Sequence, residues 1–405
     1  MLDENGSSLE AIVKLRMYPA GNGDAFLISA SGANVLIDAG YAQTFDDHIA
    51  RDLLDLVNRG EQLDLVIASH IDADHISGLI RLLSLNGSTS APRIAPISDI
   101  WHNSLRSLSA EHLTQISNSD RDILNALCRR GHPSPVKEFG ADFGEISARQ
   151  GSSLASLIYE GGYRWNFNDG TASIAIERTS VHSLPGGSVR VIGPTQERLD
   201  GFLKWWKRRL RQMGYTGAVG PGEVIDDAFE LFCEHVPETA PPSSVSLSAG
   251  GHKSLEEVHE SDPSTTNGSS ITAIVELGGT RVLMLADAWA EDVVNALQVL
   301  KSQGCSMMFD AVKVSHHGSL RNTSPELLEL IDAPIYLVST NGVGHGHPDF
   351  EVLAAIVDRP ADFSRTIFLN YATPASSLLR RHRSRSNTPF RVHENATDWI
   401  TIGKS

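Results

Sequence analysis

The sequence predicts a layered α/β fold built from two strand-and-helix halves. Three observations predict it. Short apolar runs such as Leu63-Asp64-Leu65-Val66-Ile67-Ala68 have the length of buried strands and end in polar loops. Stretches with apolar residues at helical spacing alternate with them. The alternation breaks off near residue 105 and resumes near residue 266, so one fold is divided by a long middle segment.

Residues 11–40 read as short alternating strands broken by Gly pairs, a hairpin pattern. Ile49, Leu53, Leu54 and Val57 put a helix over 45–59. A strand follows over 63–69, then a polar loop, then a helix from about Ser77 to Leu85. Residues 86–97 are a Gly/Ser/Pro-rich loop, and Asp99-Ile100-Trp101 is a strand ending at His102-Asn103. In the middle segment, 109–130 and 196–213 read as helices. Glu145 to Gly161 holds another, with Leu154, Leu157 and Ile158 on one face. Residues 189–194 form a strand stopped by Pro194, and 239–270 a long Ser/Pro/Thr/Gly-rich loop. Strands return at 271–277 and 281–286, followed by helix 290–300, strand 309–315, helix 325–331 and strand 335–339. Strands at 366–370 and 399–402 finish the sheet. The expected organisation is a first half over 1–105, a large, mostly helical insertion over 106–265, and a second half with C-terminal strands over 266–405.

A chain of 405 residues can bury a large core, and 41% hydrophobic with 20% charged residues is ordinary for a globular protein. No run approaches a membrane-spanning length, and the acidic start Met1-Leu2-Asp3-Glu4 lacks the apolar stretch of a signal peptide. No membrane partner is expected. Cys128, Cys233 and Cys305 follow no disulfide or metal spacing, which fits a reducing cytoplasm. The net charge of −15 argues against a broad phosphate-tracking surface. Two basic runs stand against it: Lys204 with Lys207-Arg208-Arg209 and Arg211, and Arg380 to Arg385. The phosphate-loop pattern of ATP-driven enzymes is absent.

The chemistry concentrates in Ser69-His70-Ile71-Asp72-Ala73-Asp74-His75, which places four metal-capable side chains within six residues at the end of a strand. Imidazoles and carboxylates this dense need a cation to hold them together. The block resembles the His-x-His-x-Asp-His signature of the metallo-β-lactamase superfamily, with Asp72 in place of the second His. That variant resembles the metallo-hydrolase domain of the bacterial competence protein ComEC and its free-standing relatives. Further motifs resemble that group in order: Gly21-Asn22-Gly23-Asp24, Val35-Leu36-Ile37-Asp38-Ala39-Gly40, Val282 to Asp287, Val312-Lys313-Val314-Ser315-His316-His317-Gly318, and Gly346-His347-Pro348. The resemblance covers roughly residues 12–105 and 265–372.

The resemblance implies an αββα sandwich holding one or two divalent cations, Mn²⁺ or Zn²⁺. His70 and Asp72 would serve one position. Asp74, His75 and a His of the His316-His317 pair would serve the other, and Asp287 would bridge. No His precedes the Asp287 strand where a further ligand belongs; the local sequence is Asn267-Gly268-Ser269-Ser270. The first position is therefore oxygen-rich, which favours Mn²⁺ there. His102 is a candidate to fill the gap. Asp38, and more weakly Asp24, are candidates to orient a ligand His, with a turn-forming role as the alternative. Asp74, His317 and His347 are the expected catalytic groups, and His345 a loop residue. The implied activity is hydrolysis of a phosphodiester in nucleic acid or a nucleotide. Ester, thioester or lactam hydrolysis is the alternative, as is a non-catalytic metal-binding module that docks a partner protein through the insertion.

Overall fold

The structure is a computed structural model describing residues 12–30, 32–109, 115–131, 153–179, 181–234, 253–343 and 346–403. His345 and residues 132–152 and 235–252 of the middle segment lie outside these. Two mixed sheets stack face to face. The first has the order β14-β1-β2-β3-β4-β5. Strands β1 (Val13–Met17), β2 (Ala25–Ala30) and β3 (Ala33–Ala39) form the expected antiparallel meander. Strands β4 (Leu65–Ala68) and β5 (Ile100–His102) add parallel to β3. Strand β14 (Ile400–Ile402), read from sequence as ending the second half, instead pairs with β1 and closes the first sheet.

The second sheet has the order β13-β12-β11-β10-β9-β8-β7-β6. Strands β9 (Thr280–Met284), β10 (Ala311–Lys313), β11 (Ile335–Val338), β12 (Arg365–Leu369) and β13 (Phe390–His393) run parallel. Strand β8 (Thr272–Leu277) joins them to a hairpin of β6 (Val181–Leu184) and β7 (Gly187–Gly193). The middle segment therefore lends two strands to this sheet and is not helical throughout.

Period-two alternation sorts the side chains. Val35 and Ile37 of β3 enter the apolar layer between the sheets, while Leu36 faces the outer helices. Outside the first sheet lie α1 (Ala50–Asn58), α2 (Ala73–Asn86), α3 (Asn118–Gly131), α4 (Leu154–Glu160), α5 (Gln196–Gln212) and α6 (Glu223–Glu234). They share one core through Leu53, Leu79, Leu124, Leu154, Trp206 and Phe229. Outside the second lie α7 (Ala290–Ser302), α8 (Pro325–Leu330), α9 (Phe350–Asp358) and α10 (Pro374–Leu379). The sequence reading missed α9, in which seven of nine residues are apolar. It also started α2 too late. That helix begins at Ala73, so Asp74 and His75 sit in its first turn, where a carboxylate is favoured by the helix dipole.

Candidate metal centre

The ends of parallel strands from both sheets meet at one place. Ile271 N donates to Ser69 O at 2.7 Å, and Ser339 Oγ donates to Gly23 O at 2.6 Å, tying the sheets together beside it. Four non-glycine residues here have left-handed backbones: Asp38 (φ 53°), Ala286 (45°), His316 (44°) and His317 (56°). Each costs roughly 1–2 kcal/mol, so surrounding contacts must hold them. Gly318 (φ 87°) follows, and a Cβ there would lie 2.7 Å from Pro348 Cβ. A Cβ on Gly23 would lie 1.8 Å from the Asp74 carbonyl oxygen, so the opening turn passes directly over the start of α2.

Four imidazoles converge on one oxygen. Asp287 Oδ2 lies 4.0 Å from His70 Nε2, 3.5 Å from His75 Nε2, 3.6 Å from His316 Nε2 and 3.4 Å from His317 Nε2. The opposite nitrogen of every ring meets an acceptor. His75 Nδ1 faces Asp38 Oδ2 at 2.8 Å. Ser69 Oγ donates to the same Asp38 at 2.6 Å and so accepts from His70 Nδ1 at 3.1 Å. His317 Nδ1 donates to Ser339 O at 2.8 Å. Asn322 spends its amide hydrogens on Asp262 and the Asp287 carbonyl, leaving its oxygen to accept from His316 Nδ1 at 2.8 Å. With Nδ1 occupied, each ring turns its Nε2 inward, the nitrogen that would bind a metal once its proton is released.

Two carboxylates edge the cluster. Asp72 Oδ2 is 3.5 Å from His70 Nε2. Asp74 reaches within 4.0 Å of both His75 Nε2 and His317 Nε2, and Asn22 Nδ2 donates to it at 2.7 Å. Their side chains are 23% and 18% exposed, against 0% for His70 and His75, so the centre opens to solvent on their side.

Burial opposes charge on Asp287, His75, His317, Asp24 and Lys313, yet their mutual fields prevail. Against burial, His317, His316 and His75 hold the Asp287 carboxyl well below its usual range. Burial disfavours protonated His75 and His317, but Asp287 with Asp38 raises the first well above 6.5, and Asp287 with Asp24 raises the second to about 9. Lys313, fully buried on β10, pairs with Asp24, whose carboxyl falls to about 2.

These donors fit divalent cations. His70 Nε2 and His75 Nε2 are buried without a hydrogen-bond partner, and three-residue ligand groupings overlap at His70/His75/Asp287, Asp74/His75/His317 and Asp287/His316/His317. Every residue expected as a ligand is thus brought together, and both His316 and His317 reach Asp287. His347 stands beside them, its ring 5.1 Å from that of His316 and its Nδ1 3.3 Å from Asp349 Oδ2. Burial lowers its pKa against the pull of Asp349.

His102 does not join the centre. Its Nε2 meets Glu230 Oε1 of α6 at 2.7 Å. Asn267, from the segment where a further ligand was expected, instead lies behind a ring, its Nδ2 3.5 Å from His316 Nδ1. Of the two weaker candidates, Asp38 holds His75, and Asp24 Oδ1 lies 3.2 Å from His317 Nδ1. Sequence reasoning missed Asn22, Asn267, Asn322 and the role of Lys313. Only Lys313 left a signal, a charge within the otherwise apolar strand from Ala311 to Val314.

Residues 18–143 match the family model of the metallo-beta-lactamase superfamily. No curated protein matches the sequence. Among solved structures, the chain is similar to the metallo-beta-lactamase fold protein YhfI from Bacillus subtilis, at 8% identity and a TM-score of 0.37, covering 96% of this chain and 99% of that one. It is also similar to a point mutant of the CmlA beta-hydroxylase, at 10% identity and a TM-score of 0.33, covering 98% of this chain and 54% of that one. Likenesses this loose say nothing about chemistry. The family match and the two mixed sheets mark an α/β metallo-β-lactamase-like fold, and the buried His/Asp cluster is a plausible metal site within it.

Proposed function

We propose that this metallo-β-lactamase-fold protein is a metal-dependent phosphodiesterase acting on nucleic acid or a nucleotide, in line with the ComEC-like motifs. The observation that carries the hydrolase reading is the convergence of four imidazole Nε2 atoms on Asp287 Oδ2 beside two partly exposed carboxylates. In this reading Asp74, His75 and His317 hold one cation. His70, grouped with His75 and Asp287, and His316, grouped with His317 and Asp287, would serve the other. Asp287 is shared. Bound divalent cations supply Lewis acidity and ionise a water near neutral pH, so no Ser or Cys nucleophile is needed. Asp74, partly open to solvent, would orient the attacking water; Asn22 fixes its carboxylate. His347 binds a substrate oxygen or moves a proton.

The substrate class rests on charge. From Gly201 to Gln212, α5 carries five basic residues and no acid. Lys204 lines a groove with Gly268 and Trp289 that Glu197 and Asp200 share, and Arg198 there pairs with Asp292 at 2.7 Å. The second basic run is tied into the scaffold instead: Arg380 to Glu394 at 3.0 Å, His382 to Asp358 at 2.7 Å and Arg385 to Asp358 at 3.3 Å. In this reading a polyanion would enter past Lys204. The test incubates metal-loaded protein with plasmid, single strands, cyclic dinucleotides and a β-lactam, in Mn²⁺ and in Zn²⁺. Cleavage of a phosphodiester, lost in Asp74→Ala, is expected. Turnover of the lactam alone would replace the substrate class. No turnover with both ions bound would leave a metal-binding module.

A further inference from the structure

Lys313 has no solvent exposure, and its ammonium meets three acceptors. It donates to the Ala286 carbonyl at 2.7 Å, pairs with Asp24 Oδ2 and lies 3.5 Å from Asp287 Oδ1. A buried ammonium is costly unless paired, so each partner matters. Asp287 has two oxygens with separate surroundings. Oδ2 faces the four imidazoles; Oδ1 faces Lys313. The Ala286 carbonyl belongs to the left-handed turn that aims Asp287, and it also accepts from His316 N at 2.8 Å. The other oxygen of Asp24 lies 3.2 Å from His317 Nδ1. One ammonium therefore touches the shared carboxylate, the turn that presents it and the carboxylate behind a ligand ring.

We propose that Lys313 is a positioning residue of the cation centre. It occupies Asp287 Oδ1 and pins the Ala286 turn, so Asp287 can join two cations only through Oδ2. This inference needs the cation centre but not the phosphodiester, so the substrate assays and the test below can fail independently. Charge alone predicts the opposite effect of removal: deleting a positive group beside a cation site should tighten cation binding. Positioning predicts weaker binding of the second ion, and the sign separates the two roles.

The experiment titrates metal-free protein with Mn²⁺, following stoichiometry by calorimetry and coupling between the ions by electron paramagnetic resonance. Wild type should take up two Mn²⁺ with an exchange-coupled signature. Lys313→Met should bind the second ion about tenfold more weakly or worse, the range seen for residues that orient ligands, with the coupling altered. That variant removes the ammonium that balances Asp24, so a second one carries Asp24→Asn with Lys313→Met to restore the charge balance. It should fold by circular dichroism and show the same altered coupling. Unchanged coupling with equal or tighter binding in either Lys313 variant overturns the proposal. So does a wild-type pair without coupling.

Discussion

His70 and His102 leave adjacent parallel strands at nearly the same level, since Ala68 of β4 lies opposite His102 of β5. Their surroundings differ. His70 has its Nδ1 held by Ser69, and its Nε2 is left without a hydrogen-bond partner, facing Asp72 and Asp287. His102 has its Nε2 taken by Glu230, which also accepts from Ala155 N at the start of α4, and its ring stacks on Trp165. The first histidine is poised to ligate. The second clamps α4 and α6 onto the first sheet. Residue type and strand-end position are shared, so neither makes a ligand. What decides is which nitrogen the surrounding protein satisfies and which it leaves facing other donors.

The largest effect that tests this contrast falls on the shared oxygen. Asp287→Ala should lower cation affinity by more than about a hundredfold, beyond the range of residues that only orient ligands. Metal content after dialysis reads it, and retention of two ions would break the contrast at its centre. Asp38→Asn should cost about ten- to hundredfold in affinity, because His75 and Ser69 lose a carboxylate acceptor. A Zn²⁺ or Mn²⁺ titration with the fold intact checks it; unchanged affinity would reduce Asp38 to a turn residue.

The third expectation concerns pH. In the metal-free protein His317 titrates at about 9, against 6.5 for an unperturbed ring, and His75 is raised as well. A raised folded pKa contributes stability that is full below 6.5 and is lost as pH climbs through about 9. Metal-free protein should therefore melt lower at high pH. Cation affinity should rise over the same interval, since ligation needs neutral rings and releases protons. Melting curves, and calorimetry in buffers of different ionisation enthalpy, read the two trends; parallel trends would contradict the assignment.

The smallest effect on the cations belongs to the clamp. Glu230→Gln should leave metal stoichiometry unchanged while lowering stability by about 1.5–3 kcal/mol, the worth of a hydrogen bond to a charged group. Urea unfolding beside metal analysis measures both. Loss of an ion in this variant would return His102 to the centre.

Much of this was legible because it is local. The apolar run ending at Ala68, the dense block from His70 to His75 and the pair His316-His317 after a buried strand are each contained in one short window, where periodicity and spacing carry information. The opening hairpin and most strands and helices of the first half followed from such windows. The helix start at Ala73 was misplaced because a carboxylate-rich first turn reads as a loop. The α9 helix was missed because periodicity in so short and apolar a run does not separate helix from strand.

Sequence by itself determined which donors this protein owns and the order in which its strands and helices deliver them. Tertiary structure alone decided their use. It turned His102 toward Glu230, 128 positions away, and closed the first sheet with β14, which pairs with β1 from the other end of the chain. It brought both His316 and His317 to one oxygen and set Lys313 behind it. The physical reason is that ligation depends on where a nitrogen or oxygen points after packing has satisfied its neighbours. Those neighbours come from strands and helices far apart in the chain, so no local window contains them.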